Sequence, residues 1–168
     1  SIIGIINSDD IYKKDAIETI NRCFEKQNDC SFVFGTVERH YLGNNKIIKS
    51  GFDKKRIKYN FDAQSSHSTG FFIKSEAQKK LGLYNTNYRC SADYDLFYKL
   101  IITNKMQGLS TKSSEIIGVV SSGGFSSKFG FWNHLKEETK IRLMNKQNRL
   151  LISLIFINAI LKYYIKKF

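Results

Sequence analysis

The chain has 168 residues, a formal net charge of +12 and 42% hydrophobic residues, which suits one folded domain with its own core and excludes a disordered or low-complexity chain. The charge favours anionic partners: nucleic acid, acidic lipid headgroups or phosphorylated small molecules. Cys23, Cys30 and Cys90 form no C-x-x-C pair, which speaks against a disulfide framework or a structural zinc site and for a reducing cytosol, with the cysteines as small buried hydrophobes.

Residues 2–6, all apolar but for Gly4, read as a buried strand that ends in Asn7-Ser8-Asp9-Asp10. A chain that opens at Ser1 inside a core strand reads as a processed or truncated product, and it has neither the basic n-region nor the cleavage site of a secretory signal. A helix is predicted over 13–26, with Ile17, Ile20 and Phe24 on one face, then a strand over 31–37. Gly43, Asn44 and Asn45 predict a hairpin turn into a strand over 46–49. The basic cluster Lys54, Lys55, Arg56 and Lys58 reads as a solvated loop. A strand over 69–73 leads to a short helix that Ser75 caps with Gln78 as its capping-box partner and Gly82 as its stop.

Ser91 is a good N-cap for a helix over 92–104, whose apolar face carries Leu96, Phe97, Leu100 and Ile101. A strand over 116–120 and a polar loop over 121–127 follow, and from Phe131 the pattern is two helices with a joint near 145–148. Early alternation of strands and helices with later mixing gives an α/β class with some antiparallel strands. Residues 150–161 are almost all apolar and uncharged, too short a run for the ~20 residues that cross a bilayer. Arg142, Lys146 and Arg149 precede them, while Lys162, Lys166 and Lys167 follow among Tyr163, Tyr164 and Phe168. That composition suits a helix in the interface of an anionic membrane, and a core helix or an oligomer contact is the plainer alternative.

Four segments can carry chemistry. Asp9 and Asp10, at the carboxyl end of a strand, suit a hard divalent ion shared with a substrate diphosphate; they equally suit a helix start. Asp93 and Asp95 sit in the first turn of a helix, where the dipole favours them, but Asp93 there also suits a general base. His67 stands before a strand with no second histidine at metal-ligand spacing. Gly123 and Gly124 let backbone amides approach an anion, with Lys128 adding charge, or they form a plain loop.

In this order the segments resemble the later part of a family 2 glycosyltransferase domain of the GT-A type. The matching stretches are residues 2–12 (IIGIINSDDIY), 32–35 (FVFG), 67–74 (HSTGFFIK), 81–84 (LGLY), 88–100 (YRCSADYDLFYKL) and 123–127 (GGFSS). The resemblance implies a GT-A-like mixed sheet flanked by helices, incomplete at its N-terminal side, over residues 1–130, with a basic, apolar, membrane-associating helical segment over 131–168. It implies transfer of a sugar from a nucleotide-sugar donor to a glycan or lipid-linked acceptor hydroxyl in cell-envelope polysaccharide assembly. Asp10 would hold Mn²⁺ or Mg²⁺ at the donor diphosphate, and Asp9 would lie toward the nucleoside and sugar. His67, Gly123 and Gly124 would lie near the donor or acceptor, and Asp93 would be the base of an inverting displacement. Ala92 stands where the family often has an acidic residue.

The family's first strand and its acidic nucleotide-contacting residues have no counterpart here, so an isolated chain is expected to bind donor poorly. The implied setting is cytoplasmic, peripheral at the inner face of the cell membrane. A non-catalytic, membrane-associated remnant of such an enzyme is the alternative. A nucleic-acid-binding module has the charge in its favour, but the paired carboxylates do not suit a phosphate backbone and no recognition motif is present.

Overall fold

The computed structural model describes residues 1–41, 45–60, 67–121 and 123–165. The class is mixed α/β, with two mixed four-stranded sheets. The chain divides into two compact units, each drawn from three stretches: Ser1–Phe52, Ser65–Leu83 and Met106–Ser127 in the first, and Asp53–Gln64, Tyr84–Lys105 and Lys128–Phe168 in the second.

Both sheets belong to the first unit. In one, β1 (Ile2–Gly4) pairs antiparallel with β6 (Phe71–Lys74), β6 antiparallel with β3 (Phe32–Phe34), and β3 parallel with β7 (Gly108–Ser110). In the other, β2 (Ile11–Tyr12) pairs antiparallel with β8 (Ile116–Ser121), β8 parallel with β4 (Thr36–His40), and β4 antiparallel with β5 (Lys46–Lys49). The predicted strand over 31–37 is thus two strands in different sheets, broken at Gly35. A Cβ at Gly35 would come within 2.2 Å of the Ile117 side chain, and the Gly35 N–H donates to the Gly70 carbonyl at 2.7 Å, so the chain crosses between sheets where only glycine fits. The hairpin of β4 and β5 forms as expected; its turn residues Gly43 and Asn44 lie outside the described residues.

Helix α1 (Ala16–Lys26) buries Ala16, Ile20 and Phe24, each four residues from the last, together with Thr19. Ile17 lies 100° round the helix and is 54% exposed, not on the buried face as its spacing suggested. Ala16, Ile20 and Phe24 pack with Cys30, Val33, Val37, Phe72, Ile117 and Val120. A second cluster joins the rings of Phe32, Phe34, Phe52 and Phe71 at centroid distances of 5.0–6.2 Å.

The expected buried strand at residues 2–6 is corrected: Ile2, Ile3, Ile5 and Ile6 are 37–46% exposed. Apolar composition is a core signal only where something covers it, and β1 is an edge strand with a partner on one side. Beside it a groove of about 500 Å³ is lined by Ile2, Gly4, Tyr12, Ile17, Ile20 and Phe72. After a 3₁₀ turn (Ser68–Gly70) and β6, helix α3 (Ser75–Leu81) takes Lys74, not Ser75, as its N-cap, and Gln78 donates to the Gly82 carbonyl at 2.6 Å in place of closing a capping box. Gly82 ends the helix as predicted, with φ +84°.

The second unit is helical. The basic cluster read as a loop is helix α2 (Lys54–Tyr59): the Asp53 carboxylate accepts the N–H groups of Lys55 and Arg56 at 2.9 and 3.1 Å, and Ile57 is buried. Helix α4 (Ala92–Tyr98) continues as a π-helical turn (Lys99–Thr103) and buries Leu96, Phe97, Leu100 and Ile101, the predicted face. Part of the polar loop predicted over 121–127, in the first unit, is the start of a short helix, α5 (Phe125–Phe129). Helices α6 (Phe131–Met144) and α7 (Arg149–Ile165) meet at the expected joint.

Candidate functional site

The acidic loop between β1 and β2 belongs to the first unit, and its two carboxylates differ sharply. Asp10 is buried, its side chain 1% exposed. Its Oδ2 accepts the Asn7 amide at 2.8 Å and the Thr69 hydroxyl, and its Oδ1 accepts the Ser121 N–H at 3.2 Å. Tyr12, whose hydroxyl donates to the carbonyl of Thr69 (3.0 Å) or Ile5 (3.2 Å), has its pKa raised by burial and then by the Asp10 charge. Asp10 therefore ties the loop to the 3₁₀ turn and to the end of β8. Asp9 is exposed, and a Cβ at Gly124 would stand 3.8 Å from its Oδ2. The Ser121 hydroxyl donates to the Asp9 carbonyl at 3.0 Å, which fixes the backbone and leaves the carboxylate open.

His67 Nδ1 accepts the Thr69 N–H at 3.3 Å and lies 4.0 Å from Asp10 Oδ2. Burial lowers the His67 pKa, Asp10 and Asp9 pull it back up, and Arg39 adds to the lowering. The ring is thus neutral at pH 7, with its proton on Nε2, since Nδ1 serves as acceptor. Arg39, on β4 and in register with Val120 of β8, is the cation of this cluster. Its guanidinium lies 5.2 Å from the Tyr41 ring centre, and its Nε–H is buried with no acceptor among the described residues. Nothing local in the sequence marks Arg39, whose charge is felt at His67, or pairs Thr69 with Asp10, 59 positions away. Gly123, with φ +103°, takes a conformation that only glycine adopts without strain.

Among the described residues no three His, Cys, Asp or Glu side chains gather around one point. A cation here would rest on the open Asp9 and on oxygens that a ligand brings, which is how Mg²⁺ is commonly held. Asp10 has three protein donors on its two oxygens and is sealed from solvent, and these bonds fix the loop that also carries Asp9.

Asp93 belongs to the second unit. Its Oδ1 accepts the N–H of Tyr94 at 2.7 Å, and no salt bridge holds it among the described residues. Burial pushes its carboxyl pKa up, against the opposing pull of the Tyr94 and Asp93 N–H groups and of His134. The nearby Tyr84 hydroxyl is pushed up to about 12, by burial first and then by the Asp93 charge. Asp95, two residues on, points elsewhere: it is 2% exposed, bonded by Lys99 at 2.6 Å and approached by the Asn145 amide at 3.4 Å. Of the two acids on α4, Asp93 is the one left available for chemistry.

Ser91 is the N-cap of α4, as predicted, but its hydroxyl makes no capping bond. Glu137 of α6 instead holds the segment that leads into the helix, accepting the N–H groups of Arg89, Cys90 and Ser91 at 2.7, 3.1 and 2.9 Å. Burial raises the Glu137 pKa, and those N–H bonds outweigh it, so the net shift is downward. A depressed carboxylate adds stability above its unfolded pKa and loses it as pH falls through the folded one. The second unit is therefore expected to weaken below about pH 4.3, and Glu137→Gln to flatten that acid limb in denaturation midpoints taken between neutral and acid pH. The cysteines are not uniformly buried: Cys30 is buried, whereas Cys23 and Cys90 are partly exposed, and Cys90 Sγ lies 3.8 Å from His134 Nε2.

Compared with known protein families the chain matches none, and a search of curated proteins returns no match.

Proposed function

We propose that the chain is a glycosyltransferase of the family 2, GT-A type, moving a sugar from a nucleotide-sugar donor to a glycan or lipid-linked acceptor in cell-envelope polysaccharide assembly. It would work in the cytoplasm, at the inner face of the membrane. The observation that carries this reading is the cluster in the first unit. An open carboxylate, Asp9, stands beside Gly124 and within electrostatic reach of a neutral His67, which in turn feels an arginine with an unused N–H. Cation and carboxylate together suit a diphosphate that shares a hard divalent ion with the protein, whereas a bare carboxylate would repel it.

Asp9 would hold Mn²⁺ or Mg²⁺, Asp10 would fix the loop that presents it, and Arg39 and the His67 Nε2–H would face the diphosphate oxygens. The ion, when bound, offsets the charge that develops on the leaving diphosphate. Asp93, with its raised pKa, would take the proton of the acceptor hydroxyl, and a single displacement inverts the anomeric centre.

One observation favours a second reading, a non-catalytic, membrane-associated remnant. Asp10, the carboxylate that the resemblance assigns to the metal, is closed off by its own hydrogen bonds. Calorimetry separates the two readings, with uridine, guanosine, cytidine and thymidine diphosphates in turn, with and without Mn²⁺. The transferase reading expects Mn²⁺-dependent binding of one of them, weakened at least about tenfold by Asp9→Asn, a change at an exposed side chain that leaves the fold intact. Absence of binding by the folded chain, with every nucleotide, would leave the remnant.

A further inference from the structure

The outward face of α7 is an apolar stripe. Leu150, Leu154, Ile157, Leu161, Tyr164 and Ile165 are 48–74% exposed. At 100° per residue they fall within one band about 100° wide. The opposite side of the same helix is packed, through Ile152, Ile155 and Ala159. The helix is therefore apolar on two faces, and the described residues cover only one of them.

The edges of the stripe are polar and ordered. Ser153 and then Arg149 border it on one side, Asn158 and then Lys162 on the other, all exposed. From Leu150 to Ile165 the stripe is about 22 Å long, and no described helix is long and apolar enough to cross a membrane. Between positions 128 and 165 the sequence has seven basic residues, of which Arg142 is buried, and two acidic ones, Glu137 and Glu138. Glu138 is buried and Glu137 is bonded to the N–H groups of residues 89–91, so neither opposes an anionic surface. At the far end of α7, the Tyr163 ring stacks on Phe131 at 4.1 Å and meets Trp132 at 6.2 Å, and Trp132 is 43% exposed.

We propose that this face of α7 lies in the plane of an anionic phospholipid bilayer. The stripe enters the acyl boundary, and Arg149 and Lys162 reach up on either side to lipid phosphates. Tryptophan and tyrosine at the helix end suit the headgroup level. Charge decides against a second copy as the occupant. Two stripes packed antiparallel about a two-fold axis would set Arg149 of each chain near Lys162 of the other, like against like, on a chain of net charge +12. The proposal gives residues and lipid chemistry to the membrane part of the function above, and it is independent of the transfer step.

The test is co-sedimentation of the full chain with vesicles of phosphatidylcholine, with and without phosphatidylglycerol. Phosphatidylglycerol is expected to strengthen binding by roughly tenfold or more, since each basic residue at the surface adds several-fold. Combined Arg149→Gln and Lys162→Gln should erase that preference and leave the weak binding to phosphatidylcholine. Combined Leu154→Ser, Ile157→Ser and Leu161→Ser should abolish binding to both, with helix content by circular dichroism unchanged because these side chains are exposed. If that variant loses helix, Leu154→Ser alone carries the test, with an expected severalfold loss. Unchanged binding by a folded stripe variant would overturn the proposal. So would a concentration-dependent dimer, seen by ultracentrifugation without lipid, that the stripe variant dissociates. Neither result depends on nucleotide binding, so this proposal and the donor site can fail separately.

Discussion

Arg142→Ala is expected to lower the stability of the second unit by roughly 3–5 kcal/mol, the range for removing one partner from a buried charged network. Arg142 is 2% exposed. Its Nη1 donates to the Lys58 carbonyl at 2.7 Å and to Gln147 Oε1 at 2.9 Å. Its Nη2 donates to the carbonyls of Ile57, at 3.0 Å, and Asn60. Those carbonyls close the C-terminal end of α2, where the last turn of any helix lacks intrahelical donors. The guanidinium also lies 5.7 and 5.6 Å from the ring centres of Tyr94 and Tyr98. One side chain thus joins α2, α4 and α6. Arg142→Lys should recover less than half of the loss, because an ammonium cannot serve diverging carbonyls as a planar fork does. Trp132, the chain's single tryptophan, lies in this unit, so its fluorescence in a urea titration reads the effect. A midpoint unchanged in Arg142→Ala would show that the network is not holding α2.

On the proposed transferase reading, with Asp93 as the base, Asp93→Asn is expected to reduce sugar transfer by about 10²–10⁴-fold, the usual contribution of a general base, with donor affinity kept within about twofold. The rate of the unmodified chain should fall on acidification through a pKa above the ordinary carboxylate range, because the base works only when ionised and burial raises its pKa. The asparagine variant should lack that limb. The stability sign is opposite to that of Glu137. A carboxyl whose folded pKa is raised contributes stability only below its unfolded pKa and loses it as pH rises through the folded one, so Asp93→Asn should leave stability at pH 7 unchanged or slightly improved. Asp95→Asn, which breaks the buried contact to Lys99, should do the reverse, with stability lost. Equal transfer rates in Asp93→Asn and the unmodified chain would remove Asp93 from the chemistry.

Local signals carried far in this sequence, and their failures share a cause. The helix of Leu96, Phe97, Leu100 and Ile101, the joint between α6 and α7 and the stop at Gly82 were legible because each depends on residues within a few positions. The split of 31–37 between two sheets was not, because it depends on Ile117 closing on Gly35 from 82 positions away. Strand β7 was missed because three residues carry no period. The helix at 54–59 was missed because its four basic residues were read as a solvated loop, without the Asp53 cap that starts it. In the candidate site, the sequence picked out Asp9, Asp10, His67 and Asp93 by type and position, yet it could not tell an open carboxylate from a closed one. Thr69 and Ser121 make that distinction by closing Asp10, and both arrive through tertiary contacts.

The threefold interleaving of the units has a consequence for synthesis on the ribosome. Strand β8 lies between β2 and β4, so the second sheet cannot assemble until residues 116–121 have emerged, although the hairpin of β4 and β5 can form much earlier. The helical unit waits longer still, since α2 has its carbonyls closed by Arg142. Neither unit can be cut out as one continuous fragment, and both should complete late, with β2, β4 and their apolar faces waiting for partners made about a hundred residues afterwards.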